Sequence, residues 1–314
     1  MVDTAPIEET LLAGIELGGT KCIVLLARGT DILRSERIAT STPDATLAEA
    51  ANRLDTWRTE CGDPQAFGIA SFGPLGLDRT RAGYGHITDT PKAGWANTDL
   101  VGFFAPRVAA PIGFDTDVAG AALAEYYWGA GQGADVIVYL TVGTGIGGGV
   151  VVGGKPLHGA IHPEIGHIRV RRRADDSFAG ICPFHADCLE GLCSGPAIAA
   201  RSGLTSETAP ADHPVWNDVT SEMAELMATL LLTLSPQKIL LGGGVFQHQQ
   251  HLLTPLRTKT AALLNGYVAG VTPKTLKDVI LPPMLGDRTG PLGAVALARQ
   301  ALQNTPPSAP SSRT

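Results

Sequence analysis

The sequence predicts an α/β protein made of two similarly built halves. Two apolar segments are each broken by a glycine–threonine turn: residues 12–27 around Gly18-Gly19-Thr20, and Asp135–Val152 around Gly143–Gly149. An apolar run, a glycine turn and a second apolar run predict a hairpin. Amphipathic stripes at helical spacing lie between the strand-like runs. Hydrophobic residues make up 44% of the 314 and charged residues 17%. That composition supports a packed core and argues against disorder.

In chain order, the first hairpin is followed by a stripe of Leu47, Ala50, Leu54, Trp57 and Cys61, which predicts a helix over Thr46–Cys61 with Asp44 or Thr46 as cap. Phe67–Phe72 reads as a short strand ending in Gly73-Pro74, and residues 83–98 read as turns at a surface or cleft. A second unit is expected from Pro111, with a strand at Ile112–Phe114 and a helix over Val118–Trp128. The second hairpin comes next, then a helix over Val215–Leu234 with Val215, Val219, Met223, Leu226, Leu230 and Leu234 on one stripe. Lys238–Leu241 reads as a strand entering Gly242-Gly243-Gly244, Pro291–Leu302 as a terminal helix, and Asn304–Thr314 as a loose tail. The expected domains are residues 1–115, joined by the C-terminal helix at about 288–303, and residues 116–287.

Several function classes are disfavoured. The net charge is −6 and the single tight basic run is Arg171-Arg172-Arg173, which reads as a solvated loop, so no nucleic-acid partner is expected. Apolar stretches such as Met227–Leu234 are too short for a membrane span, and residues 1–10 lack the pattern of a secretory signal. The five cysteines, an odd number, do not form a disulfide framework, and a reducing cytoplasm is expected.

Glycine-rich turns let backbone N–H groups converge on an anion, and threonine hydroxyls add donors. Gly18–Thr20 alone fits an ordinary hairpin turn equally well. The five glycines within Gly143–Gly149 exceed what a turn needs and point to close approach of a ligand. Gly143-x-Gly145-x-x-Gly148 imitates a dinucleotide fingerprint and Gly149-x-x-x-x-Gly154-Lys155 a P-loop. Neither opens a helix, and Pro156 stands where a P-loop needs Ser or Thr, so both are rejected.

Phosphoryl transfer to an alcohol needs a carboxylate to receive the hydroxyl proton and a cation to offset phosphate charge. Asp115 and Asp117 lie at a strand-to-helix junction, where one can cap while the other reacts. Glu16, just before the first loop, is a candidate for holding Mg²⁺ through water. Cys182-x-x-His185-x-x-Cys188 has the spacing of a zinc turn, with His167 as the preferred fourth ligand and His162 and His158 as competitors. Four protein ligands would make the site structural. Glu164 and Glu190 flank it, as carboxylates suited to sugar hydroxyls or as plain surface charges.

With these motifs in hand, the chain resembles the ROK sugar kinases over about Leu12 to Leu302, and within them the bacterial fructokinase branch. The motifs are GIELGGTK (14–21), GYGHITDTPKAGW (83–95), FDTDVAGAALAE (114–125), LTVGTGIGGG (140–149), HPEIGH (162–167), CPFHADCLEGLCSGPAI (182–198) and ILLGGG (239–244). The resemblance implies the actin-like ATPase (ribonuclease H-like) fold, two α/β domains with a cleft between them. It implies that Asp117 is the catalytic base. ATP would be bound by Glu16, Gly18, Gly19, Thr20, Lys21, Thr144, Gly145, Gly147, Gly195, Pro196, Gly243 and Gly244. The sugar would meet Gly73, Pro74, Thr90, Asp117, Glu164, His167 and Glu190, and structural Zn²⁺ would be held by His167, Cys182, His185 and Cys188. Ala119 followed by Gly120 departs from the Asn common in the family.

Pro91-Lys92-Ala93-Gly94-Trp95, the Cys-Pro-Phe-His metal turn and Glu16 in place of Asp look like the fructokinase branch. The implied activity is phosphorylation of D-fructose at its 6-hydroxyl by ATP with Mg²⁺, in a cytoplasmic homodimer. The same reaction on mannose or glucose is the near alternative. A sugar-responsive regulator, or an actin-like ATPase without a sugar substrate, is more distant. The former needs a DNA-binding segment that the ten or so residues before the first strand do not supply.

Overall fold

The computed structural model describes residues 7–305, so the expected loose tail lies outside the described residues beyond Thr305. The chain divides into two compact units. Among the described residues, one holds 7–124, 160–162 and 288–305, and the other holds 125–159 and 163–287. The division falls at Ala124/Glu125, later than the expected 115/116, because the strand and helix after Pro111 extend the first sheet.

The first unit runs β1 (Leu11–Leu17), β2 (Lys21–Arg28), β3 (Asp31–Ala39), α1 (Pro43–Cys61), β4 (Ala66–Ser71), α2 (Leu100–Val108), β5 (Ile112–Thr116) and α3 (Asp117–Trp128). The sheet order is β3-β2-β1-β4-β5. β1, β2 and β3 pair antiparallel, while β4 and β5 add parallel to β1. All six residues of β4 are buried, as a central strand covered on both faces requires. α1 begins with Pro43 in its first turn and Thr42 as N-cap, one turn before the expected start. The Thr46 hydroxyl instead accepts from the Ser41 amide at 2.9 Å. Residues 83–98 lack regular elements, yet Ile87 and Trp95 are fully buried, so this stretch is core as well as surface. The Trp95 indole N–H donates to the Ser41 carbonyl at 2.8 Å.

The second unit runs β6 (Val136–Val142), β7 (Ile146–Val152), β8 (Lys155–Pro156), α4 (Leu189–Cys193), α5 (Gly195–Ser202), α6 (Val215–Thr233), β9 (Lys238–Gly242), α7 (Gly244–His248), α8 (Leu253–Leu264) and β10 (Ile280–Leu281). Its sheet order, β10-β9-β6-β7-β8, reproduces the plan of the first. A hairpin's leading strand, β6, pairs antiparallel with its partner and parallel with the strand that returns, β9. The predicted stripe on α6 is buried from Val215 to Leu230 and packs over this sheet. Among the described residues no helix is long and apolar enough to cross a membrane.

The chain then returns to the first unit as α9 (Thr289–Asn304). Gly14, Gly68 and Gly113 are aligned across β1, β4 and β5. A Cβ on Gly68 would strike the Ala294 carbonyl, and one on Gly113 the Leu297 carbonyl. These three glycines form a flat floor on which the α9 backbone rests. Gly120 of α3 meets Gly293 of α9 in the same way, a Cβ on Gly120 lying 3.1 Å from the Gly293 carbonyl oxygen. Close helix packing therefore explains Gly120.

Candidate active site

In the first unit the β1–β2 turn is tied down by its carbonyls. Gly18 N–H donates to the Lys21 carbonyl (2.9 Å) and Thr40 N–H to that of Thr20 (3.2 Å). The Thr40 hydroxyl donates to the Gly18 carbonyl at 2.8 Å. Lys92 Nζ donates to that of Gly19 at 2.6 Å. Lys92 was not singled out as a functional residue; a single lysine within 83–98 gave no sign of this reach. Gly19 and Thr20 are exposed at the tip. Behind them, burial raises the Glu16 carboxyl above its ordinary pKa, with Lys21 opposing. Its Oε2 is buried with no protein hydrogen-bond partner among the described residues. Such an oxygen suits a cation or a cation's water.

Asp115 and Asp117 flank the β5–α3 junction. Asp115 is buried and accepts from the Thr116 amide at 2.7 Å. The helix cap is neither aspartate: the Thr116 hydroxyl accepts from Ala119 N–H at 3.1 Å. Asp117 is the first residue of α3, half-buried, and its Oδ1 accepts from Val118 N–H at 2.9 Å. A carboxylate here has the favourable field of a helix N-terminus.

The chain leaving β4 makes the Gly73–Pro74 turn, whose peptide is cis. Pro74's carbonyl accepts from the Thr88 amide at 2.8 Å and from the Thr88 hydroxyl at 3.1 Å. The Thr90 hydroxyl accepts from Lys92 N–H at 3.4 Å. His162 lies with this unit, where its Nε2 accepts from Leu75 N–H at 3.1 Å.

In the second unit the glycine turn is shorter than expected. Gly143-Thr144-Gly145 make the bend, closed by Gly143 N–H donating to the Gly145 carbonyl at 2.9 Å. Gly147, Gly148 and Gly149 lie inside β7. A Cβ on Gly148 would crowd Ile165 and Leu140, and one on Gly166 would strike the Ile146 carbonyl. Gly148 of β7 and Gly166 therefore let residues 164–167 lie directly on the strand. The α5 helix opens against the turn, Gly195 N–H donating to the Gly143 carbonyl at 2.7 Å. Ser194 caps this helix and Pro196 sits in its first turn. Gly243, at φ 82°, takes a conformation that favours glycine. Thr144, Pro196, Gly244, Thr205 and Glu207 help to line a cavity of about 460 Å³ in this unit, a size typical of small-molecule sites. Thr205–Glu207 were missed from sequence, being a polar turn like many others.

His167, Cys182, His185 and Cys188 come together, with their ligand atoms all within 4.8 Å of one another. Cys182 and Ala186 exchange backbone hydrogen bonds of 3.1 and 2.9 Å, a tight turn that folds His185 back toward Cys182. The Cys182 sulfur is 3.8 Å from Nδ1 of both His167 and His185, and the Cys188 sulfur is 3.5 Å from Nδ1 of His167. A tetrahedral ion with sulfur at about 2.3 Å and nitrogen at about 2.05 Å has an S···N edge of about 3.6 Å, so the set fits a metal of zinc's size. Burial pushes the Cys188 thiol up to about 11; a bound cation reverses that tendency. Of the competing histidines, His158 is exposed outside the cluster and His162 is engaged by Leu75.

Two carboxylates adjoin the cluster. Glu164, exposed, precedes the short 3₁₀ turn Ile165–His167, and its carbonyl accepts from His167 N–H at 3.0 Å. Glu190, in the first turn of α4, has Oε1 4.0 Å from His167 Nε2, and its Oε2 accepts from Ile146 N–H at 2.9 Å. The arginine run before the cluster is not simply solvated. Arg172 pairs with Asp176 at 2.8 Å, and the buried Arg201 holds Asp176 (3.3 Å) and Glu222 (3.0 Å) while lying over the Phe178 ring.

Among curated proteins, the chain is 44% identical over 292 residues to a fructokinase of Zymomonas mobilis, covering 91% of this chain and 96% of that one. It is 41% identical to a putative fructokinase of Bacillus subtilis, covering 93% and 97%. Among solved structures it is similar to a ROK hexokinase from Thermus thermophilus, with a TM-score of 0.78, 25% identity and 94% and 100% of the two chains covered. A ROK family glucokinase from Streptomyces griseus, solved with glucose and AMPPNP, gives a TM-score of 0.71 at 26% identity over 92% and 99%. These neighbours share the actin-like ATPase fold, in agreement with the two sheets of matching topology. The ROK family model itself matches residues 12–301, so both glycine turns, the Asp117 helix and the Cys/His cluster all fall inside the stretch that makes this chain a member of the ROK family.

Proposed function

We infer that this chain transfers the γ-phosphoryl group of ATP to the 6-hydroxyl of D-fructose, giving ADP and fructose 6-phosphate. The observation that carries the reading is the start of α3, where Asp117 is the first residue of the helix, one position after the Thr116 cap, so that its carboxylate lies in the field of the helix N-terminus. The high identity to fructokinases over nearly the whole chain supports fructose as the acceptor.

In this reading Asp117 takes the 6-hydroxyl proton as that oxygen bonds to the γ-phosphorus and the bond to ADP breaks. Gly18, Gly19, Thr20 and Lys21, with Thr144, Gly145 and Gly147, are assigned to the phosphates. Gly195, Pro196, Gly243 and Gly244 are assigned to the nucleoside. Gly73, Pro74, Thr90, Glu164, His167 and Glu190 orient the sugar. Glu16 is the residue to hold Mg²⁺ through water, its unsatisfied buried oxygen fitting that use, and the ion when bound offsets phosphate charge. Zn²⁺ on His167, Cys182, His185 and Cys188 is structural, because four protein ligands leave no open position. A cytoplasmic homodimer completes the proposal; sedimentation of the purified protein measures the latter.

A coupled assay across fructose, mannose and glucose tests the substrate, and a preference for glucose would sink it. Asp117→Asn is expected to lower kcat by about 10²–10⁴ while fructose still binds.

A further inference from the structure

His162 is 6% exposed, yet it belongs neither to the Cys/His cluster nor to the groups assigned to ATP or sugar. A buried imidazole is expected to meet specific partners. Its Nε2 accepts from Leu75 N–H at 3.1 Å. A nitrogen that accepts carries no proton, so the ring is neutral with its hydrogen on Nδ1. The ring also lies against the turn: a Cβ on Gly73 would sit 3.3 Å from Nε2 and 3.4 Å from Cε1. From a different strand-free segment, Thr88 holds the Pro74 carbonyl with both its amide and its hydroxyl. The backbone of Gly73–Leu75 is thus fastened by two independent side chains.

The place of this turn gives the fastening its purpose. It leaves the carboxyl end of β4, and β4 pairs in parallel with β5 so that Ser71 faces Thr116. The turn therefore leaves the sheet edge from which Asp117 also leaves, one residue after Thr116. Ligands of open α/β sheets bind beyond the carboxyl ends of parallel strands. The segment that carries His162 continues two residues later into Glu164.

We propose that His162 is a positioning residue for the sugar: its neutral Nε2 holds the Gly73–Leu75 turn beside Asp117 in the geometry that accepts the hexose. The proposal rests on the fructokinase reading above. Without the acceptor, the Leu75 amide is left unpaired and the turn can relax, which moves a sugar contact and leaves the phosphate loops in place.

The test is steady-state kinetics on the full chain with fructose and ATP varied separately. His162→Ala is expected to raise the fructose KM by about tenfold with the ATP KM changed by less than about twofold. His162→Gln, whose amide oxygen reaches close to the Nε2 position, is expected to restore most of the loss. His162→Asn, too short to reach, is expected to behave like His162→Ala, and it keeps the test open should the alanine variant fail to fold. An unchanged fructose KM in His162→Asn, equal rises in both KM values, or a glutamine variant no better than asparagine would each overturn the proposal. Failure of the underlying reading looks different: the unmodified protein would then not phosphorylate fructose at all.

Discussion

Nε2 of His167 lies 4.0 Å from Oε1 of Glu190, while Nδ1 of the same ring faces the sulfurs of Cys182 and Cys188. One imidazole therefore connects the metal cluster to a carboxylate. That carboxylate's other oxygen holds the Ile146 amide at the end of the second glycine turn. Glu190→Gln keeps an acceptor for Ile146 and loses the charge beside His167. It is expected to reduce kcat/KM for fructose about tenfold or more with little change in unfolding midpoint. Glu190→Ala also leaves the Ile146 amide unpaired and should cost a further ~1–3 kcal/mol of stability. Kinetics paired with urea unfolding of the two variants separates the effects, and a Glu190→Ala as stable as Glu190→Gln would refute the bridging role.

Three of the four cluster residues sit on one loop, Cys182–Cys188. Cys182–Cys188 contains no helix, and its exposed Phe184 adds nothing to the core. Metal analysis of the purified protein should find about one zinc per chain. Removal by a strong chelator should lower the thermal midpoint and the fructose rate together, and both should return when Zn²⁺ is added back. A metal-free preparation with full stability would exclude a structural zinc.

Much of this was legible in the sequence, and the reasons differ by element. Both hairpins and the α6 stripe follow from local periodicity, which needs no knowledge of the rest of the chain. The Cys182–Cys188 spacing exposed three cluster members, and His167 followed from its motif. Gly148 was misread because a glycine that admits a ligand and a glycine that admits a neighbouring side chain have the same letter. A Cβ at Gly148 would crowd Ile165 and Leu140. The cap of α3 was assigned to an aspartate because Asp115 and Asp117 drew attention away from Thr116, which lies between them. Lys92 and His162 act across 73 and 87 residues of chain, distances over which no local pattern carries information.

The glycine floor beneath α9 was equally hidden, and it makes a sharp prediction. At Gly68 a methyl group would meet the Ala294 carbonyl and the Ala298 amide nitrogen, backbone atoms that cannot turn aside. Gly68→Ala should therefore force α9 off the sheet and cost ~1–3 kcal/mol or more, although the same strand buries alanine at Ala66 and Ala70. Gly19→Ala is the control, since nothing lies within 4 Å of a Cβ there. Its effect on unfolding should be small. Equal unfolding midpoints for the two variants would show that α9 does not rest on this floor.

Glu16 gives the pH dependence. Burial raises its folded-state pKa above the ordinary 4.5. Between that value and the raised one, the folded state binds more protons than the unfolded state. Its contribution is therefore fully present below about 4.5, is lost as pH rises through the folded pKa, and leaves the ionised carboxylate as a liability at neutral pH. Glu16→Gln removes the ionisation, so its stability should fall less than that of the unmodified protein as pH is raised across this window, measured without Mg²⁺ or ATP. The same variant should lose kinase activity if Glu16 holds the cation. A stability gain at neutral pH together with lost turnover is the expected pair of results. Parallel pH–stability curves for the two proteins would show that Glu16 is not perturbed by its burial.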